Sequence, residues 1–196
     1  MNSRNYQLDI YPLLSSIFDL AGFSSQVPVV DEFLLNNAKL ADDELRSQTS
    51  LMVNGSKLVG FYTSSVRTFR LEAPDFAPLK AERILTDAEL DSMTQGDVID
   101  LPAVDLSYFA IDWHYQRQGF GTLMMTNFLK NMAEAYIDHG IGFSGVVLFA
   151  LNEAVPFYQK VGFRALHGID YEKTPDLKQY PMFMNSRFLT DLYARL

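Results

Sequence analysis

The sequence predicts a single α/β domain, an α+β arrangement on a mixed sheet, and three observations carry that prediction. Asn54-Gly55 stands between two apolar, β-branched runs, the strongest short-range signal for a hairpin. Residues 103–161 alternate in the order strand, helix, strand, helix, the mark of an α/β core. Composition is the third: 196 residues, 48% hydrophobic and 13% aromatic, hold enough apolar surface to offset the ordering entropy of one domain.

In chain order, Leu8, Tyr11, Leu14, Ile17, Phe18 and Ala21 recur at helical spacing before Gly22, which predicts a first helix over 8–21. The acid-led segment Asp31–Leu45 predicts a second, with Phe33, Leu34, Ala38, Ala41 and Leu45 recurring through it. Ser50–Val53 and Leu58–Leu71 are the expected arms of the hairpin. Residues 72–102, with three prolines and a surplus of acids, differ from their flanks and read as an insertion within a domain spanning 1–196. Inside it Thr86, with Glu89 three residues on, would cap a short helix over Thr86–Met93. Ala103–Ile111 reads as a strand. From Gly121 to His139, Met125, Phe128, Leu129, Met132 and Tyr136 mark an amphipathic helix closed by Gly140. Val146–Ala150 suits a buried strand, and Asn152–Val161 a helix with Pro156 in its first turn and Gly162 past its end. Phe163–Leu166 and Tyr180–Met184 are weaker strands, and Thr190–Leu196 a terminal helix.

Charge and composition exclude several functions. With 16 basic and 24 acidic residues the net charge is -8, a field that repels nucleic acid and anionic membranes while leaving room for a local basic groove. The absence of cysteine removes disulfides, thiolate zinc sites and thiol nucleophiles and fits a reducing compartment. No run reaches the ~18 apolar residues of a membrane helix, and the N-terminal stretch lacks a signal-peptide core. A cytoplasmic protein is expected. His114, His139 and His167 are far apart in the chain, so no metal is expected. Gly140–Gly145 matches G-x-G-x-x-G but follows a helix and leads into a strand, the reverse of a dinucleotide fingerprint. Ser144, in G-F-S-G-V, misses the nucleophile elbow at its last position.

The informative stretch is Tyr115-Gln116-Arg117-Gln118-Gly119-Phe120-Gly121, between a strand and a long helix. A strand feeding a glycine turn into a helix N-terminus leaves backbone N–H groups unpaired around one concavity, a nest suited to phosphate. Gly119 and Gly121 remove side chains from its mouth, and Arg117 adds positive charge. The competing reading is a tight turn whose glycines only satisfy positive φ.

A second pattern, Asn152-Glu-Ala-Val-Pro-Phe-Tyr158-Gln-Lys-Val-Gly162-Phe163, follows the next strand. Together with Gln116, Gly119 and Gly121 it resembles the GNAT superfamily of N-acetyltransferases, and S-L-M-V-N-G-S-K-L-V-G-F-Y looks like that family's preceding hairpin. The resemblance is specific over about residues 105–165. It implies a GNAT fold: a central twisted mixed sheet flanked by helices, in which Leu106–Ile111 splays away from Val146–Ala150. It implies acetyl-CoA as cosubstrate, with Phe109, Ala110 and Ile111 meeting the pantetheine arm through main-chain groups. Gln116, Arg117, Gln118, Gly119, Phe120, Gly121 and Thr122 would hold the pyrophosphate. Asn152 would bond the cofactor arm, or else cap its own helix.

The chemistry makes further demands. An amine with pKa near ~10 must lose a proton before it attacks a thioester. The oxyanion needs a donor, here a backbone N–H near Ile111, and the departing thiolate needs a proton. By the resemblance Tyr158 is the general acid; otherwise it is one of ten core tyrosines. Asp105 lies eleven residues before Gln116, where histone-type members carry a catalytic glutamate, and is the candidate base; a water chain is the alternative.

The expected function is acetyl transfer from acetyl-CoA to a primary amine of a small molecule, peptide or protein. The acidic balance argues against a nucleic-acid partner, and a homodimer is compatible with the sequence. Two alternatives stand beside it. Residues 22–38, G-F-S-S-Q-V-P-V-V-D-E-F-L-L-N-N-A, resemble the opening of GNAT toxins that acetylate aminoacyl-tRNA, although Ser24 stands where those proteins carry cysteine. The other is a non-catalytic protein that uses the fold to bind CoA.

Overall fold

The computed structural model describes residues 8–15, 17–72, 91, 97–166 and 179–194. The strands are β1 (Leu8–Pro12), β2 (Gln48–Asn54), β3 (Lys57–Glu72), β4 (Val98–Ile111), β5 (Gly145–Ala150), β6 (Arg164–Ala165) and β7 (Tyr180–Asn185). The helices are α1 (Pro28–Glu32), α2 (Ala38–Asp43), α3 (Phe120–Ile137), α4 (Val155–Val161) and α5 (Ser186–Tyr193), with a π-helical turn, Phe33–Asn37, joining α1 to α2. The strands form one mixed sheet in the order β1-β2-β3-β4-β5-β7-β6. The α/β prediction therefore holds.

The chain forms two compact units, Met1–Ser65 with Leu106–Phe128, and Val66–Asp105 with Leu129–Leu196. In the first, the hairpin forms as predicted: β2 and β3 pair antiparallel from Gln48↔Ser64 to Asn54↔Lys57, and Gly55 turns the chain at φ 61°. The expected helix over 8–21 does not form. Leu8–Pro12 instead pairs antiparallel with β2, from Leu8↔Asn54 to Pro12↔Ser50. Short apolar runs satisfy either period, and here the edge of β2 decides; Pro12 sits at the strand's end, where a missing N–H costs little. The second predicted helix forms but starts three residues early, with Pro28 in its first turn. The core of this unit gathers Leu13, Phe23, Leu34, Leu51, Val53, Phe61 and Ala110. Beside it, buried Asp42 accepts the Thr49 N–H at 2.9 Å, and the Thr49 and Thr63 hydroxyls meet at 2.9 Å, so the buried carboxylate has partners.

In the second unit β4 and β5 pair parallel over Ala103–Asp105 and Gly145–Val147, and β5 pairs antiparallel with β7 along its whole length. Gly145–Leu148 of β5 are buried in succession, which accounts for the apolar run, while Phe149 is exposed. Phe69, Leu71, Ala103, Val147, Leu166 and Phe183 form its core. Gly145 is required here: a Cβ would stand 2.3 Å from the Met184 carbonyl oxygen. α3 closes before Gly140 at φ 67° and α4 at Gly162, φ 115°, both as the glycine signals predict. β4 begins at Val98, five residues before the expected Ala103. Most of the 72–102 segment and of the Thr86–Met93 helix lies outside the described residues, as does His167.

Candidate active site

The first unit carries the end of β4 and the glycine turn. Leu106, Ala110 and Ile111 are buried and Tyr108 and Phe109 half-buried, so packing of its side chains fixes this end of the strand. Gly60 on β3 makes close approach possible. A Cβ there would stand 2.7 Å from the Ala110 carbonyl oxygen and 2.6 Å from Ile111 Cδ1. The Asp112 N–H donates to the Val59 carbonyl at 2.9 Å and ends the strand.

Asp112, 3% exposed, then organises the turn. Its Oδ1 accepts the His114 N–H at 3.0 Å and faces His114 Nδ1 at 2.9 Å, while Oδ2 accepts the Ser24 N–H at 3.1 Å. The Gln116 carboxamide donates to two main-chain carbonyls, Ile111 at 3.0 Å and Ser25 at 3.2 Å. Gln116 thus clamps the turn onto residues 24–25. Arg117 at φ 58° and Gly119 at φ 91° complete the reversal. Nothing lies within 4 Å of where a Gly119 Cβ would be, so the glycine serves its backbone angle and the space before it is open. Phe120, buried edge-on against Tyr115 at 5.7 Å, seats the start of α3. The helical ladder begins with the Leu123 N–H on the Gly119 carbonyl at 3.1 Å, so the amides of Gly121 and Thr122 have no intrahelical acceptor. Open space, first-turn amides, the helix dipole and the Arg117 side chain, which has no ion-pair partner among the described residues, fit a pyrophosphate.

The second unit carries Asp105, Asn152 and Tyr158. The Asp105 side chain is 14% exposed, and its Oδ2 is 3.3 Å from the Arg67 guanidinium. That guanidinium also lies over the Phe149 ring, 5.6 Å from its centroid. Asn152 opens the 3₁₀ turn Asn152–Ala154. The capping alternative for Asn152 is not realised: Leu151 and Ala154 are the capping positions, and neither makes a side-chain cap bond. Tyr158 is buried in α4, edge-on to Phe163 with centroids 5.8 Å apart. Burial pushes its phenol well above the ordinary tyrosine value, so the group keeps its proton.

The sequence reading found the turn, but it missed Asp112, Ser24 and Ser25. Asp112 caps the 3₁₀ turn Trp113–Tyr115, a signal the D-W-H string offered. The Asp31 carboxylate, which accepts the Ser25 N–H at 2.7 Å and the Ser24 and Ser25 hydroxyls, offered none. Among the described residues no group of three or more His, Asp or Glu is placed to hold a metal, and no helix is long and apolar enough to cross a membrane.

Residues 87–165 match the family model of the acetyltransferase (GNAT) domain. Fold and match together place this stretch in a GNAT-type acetyltransferase fold. Among solved structures the chain is similar to a tyrosine-to-phenylalanine mutant of KacT, at 22% identity and TM-score 0.72, with 95% of this chain and 99% of that one covered. It is similar to AtaTR bound with AcCoA, at 20% identity and TM-score 0.69, covering 95% and 98%. AtaT complexed with acetyl-methionyl-tRNAfMet matches at 20% identity and TM-score 0.69, covering 95% and 99%. Comparison with curated proteins by sequence returns no match.

Proposed function

We propose that this protein acetylates a primary amine with acetyl-CoA, and that the glycine turn binds the cofactor. The observation that carries the reading is the turn itself: Gly119 at positive φ before open space, followed by helix N-terminal amides and clamped by Gln116. Bound there, acetyl-CoA supplies an activated acetyl thioester. The chain's own residues do the rest. The main chain of Phe109, Ala110 and Ile111 holds the pantetheine arm in extended form, and residues 116–122 neutralise the pyrophosphate. Tyr158, kept neutral by burial, gives its hydroxyl proton to the thiolate as the amine takes the acetyl group. Asp105, steadied by Arg67, accepts a proton from the incoming ammonium directly or through water. Asn152 bonds the amide-bearing arm.

For the acceptor, the chain's acidity favours a cationic small molecule or peptide amine, which opposite charge would draw inward. A second reading is favoured by the likeness to AtaT in complex with acetyl-methionyl-tRNAfMet, which spans nearly the whole of both chains: the amine of an aminoacyl group on tRNA. Incubation with acetyl-CoA and polyamines, aminoglycosides, peptides or charged tRNA, read by mass spectrometry, decides. Acetylation of the small amines or peptides supports the first reading, acetylation of charged tRNA alone supports the second, and no acetylated product with any acceptor would leave only cofactor binding.

A further inference from the structure

The first compact unit holds a stacked ring pair that lies outside the glycine turn and has no part in the chemistry proposed above. Phe33 and Tyr108 lie face to face, with centroids 3.7 Å apart and planes 6° from parallel. Phe33 opens the π-helical turn Phe33–Asn37, where the Ala38 N–H reaches back to the Phe33 carbonyl, and Tyr108 stands on β4 one residue before Phe109. Such turns are rare and are found most often at functional sites. Just before it, the Asp31 carboxylate of α1 is fastened to Ser24 and Ser25 by three hydrogen bonds of 2.6 to 2.9 Å, which holds the helix that carries Phe33. Both rings are half-buried, as are Phe18, Leu20 and Val30, which pack on the same core. Phe23 and Phe61 show what enclosure looks like in that core, at 5% and 0% exposure. The stacked pair is therefore an open rim of it. The Tyr108 hydroxyl has no hydrogen-bond partner among the described residues.

We infer that the Phe33–Tyr108 pair selects the acceptor: it is the wall that receives an apolar side group carried beside the reacting amine. The preferred substrate is then the α-amine of a bulky apolar aminoacyl unit, in place of a glycyl unit, a polyamine or an aminoglycoside. The inference rests on the acetyltransferase reading. Under that reading the pyrophosphate lies at the turn after Ile111 and the arm along Ile111 to Phe109, so the acyl end falls on the Tyr108 side of the strand. A group attached next to the amine must then meet the side chains at that end. Stacking occupies one face of each ring, and ring edges carry positive partial charge, so the pair suits an apolar group better than a second ammonium. Its rim is already half out of water, and covering it with a side chain of the substrate buries apolar area that no residue of the described chain encloses. The free phenol hydroxyl at the same place suits the carbonyl that follows the α-carbon of an aminoacyl unit. The unit has two possible sources, a peptide or amino-acid amide and an ester on tRNA, which share this chemistry.

The test compares kcat/KM for methionine and glycine acceptors, offered as the amides and as one tRNA charged with either residue, in the wild type, Phe33→Leu and Tyr108→Leu. Leucine keeps apolar bulk at each position and removes the stack. The quantity read is the methionine-to-glycine ratio within one protein, which cancels any loss of folded enzyme. In the wild type it should be at least about ten-fold, the scale of discrimination by an apolar pocket, for whichever source is used. In both variants it should fall to within a few-fold of one. An NMR titration of the two amides into the cofactor-free protein gives a reading independent of turnover: methioninamide should bind several-fold more tightly than glycinamide to the wild type only. A wild-type ratio near one, or a preference that survives both substitutions, overturns the inference and leaves the acetyltransferase reading standing. Acetylation of no acceptor from either source would instead overturn that reading, and the inference with it.

Discussion

The carboxamide of Gln116 donates to the carbonyl oxygen of Ser25 at 3.2 Å, across 91 positions of sequence. The same group holds the Ile111 carbonyl at 3.0 Å, so one side chain ties the strand end, the glycine turn and the segment before α1. Its use is therefore architectural: it sets the turn proposed above to receive the cofactor's phosphates. Gln116→Leu should weaken acetyl-CoA binding about ten-fold or more while costing only about 1–3 kcal/mol of stability, the range for leaving buried polar groups unsatisfied. Calorimetry with acetyl-CoA alongside urea unfolding separates the two effects. Wild-type affinity in this variant would show that the clamp does not shape the site.

Gly60→Ala tests the close approach of β3 to the end of β4. The new methyl would meet the Ala110 carbonyl oxygen at 2.7 Å, a backbone atom that cannot rotate away, with Met124 Sδ at 3.2 Å behind it. Overpacking of this kind costs about 1–3 kcal/mol. Urea midpoints should fall at an unchanged m-value, and cofactor affinity should fall with them because Ala110 and Ile111 shift.

Tyr158→Phe keeps the ring between Phe157 and Phe163 and removes only the hydroxyl. Acetyl-CoA binding should survive and kcat should drop by roughly 10²-fold, the scale of a lost general acid. Stability has its own signature. Because burial raises the folded-state phenol above its unfolded value of ~10, stability is intact below that pH and declines as pH rises through and beyond it, where only the unfolded chain ionises this group. Tyr158→Phe should be less sensitive to alkali than the wild type. Equal midpoints for both proteins across pH 9–11.5 would remove the burial argument.

Asp105→Asn keeps the size of the side chain and its place beside Arg67 but removes the charge that pairs with it. If Asp105 takes the amine's proton, the acidic limb of the pH profile of kcat disappears and activity falls by about 10²-fold or more. A retained acidic limb with modest loss would assign the proton to a water chain and leave Asp105 as the anchor of Arg67.

The sequence disclosed these parts unequally, for physical reasons. The hairpin, α3, β5 and α4 carry local signals: Asn54-Gly55, helical periodicity, an apolar run, and glycines at positive φ after each helix. Leu8–Pro12 carries none that separates helix from strand, because its structure comes from pairing with Asn54 to Ser50. The glycine turn was legible as a turn, yet its anchoring was not. Asp112 reaches Ser24 across 88 positions, a contact that no local pattern encodes. Nor did the sequence reveal that Arg67 on β3 would stand 3.3 Å from the Asp105 carboxylate.

The central claim is that the glycine turn holds the pyrophosphate of acetyl-CoA. Isothermal calorimetry of acetyl-CoA with the wild type and with Gly119→Glu tests it most directly. The position is open, so the glutamate need not clash, but it strains a φ of 91° and places a carboxylate before the α3 amides. Micromolar-range binding by the wild type and loss of at least about 100-fold in the variant is the expected result, since a like charge and a disturbed nest act together. Equal affinity in a folded Gly119→Glu variant would contradict the account.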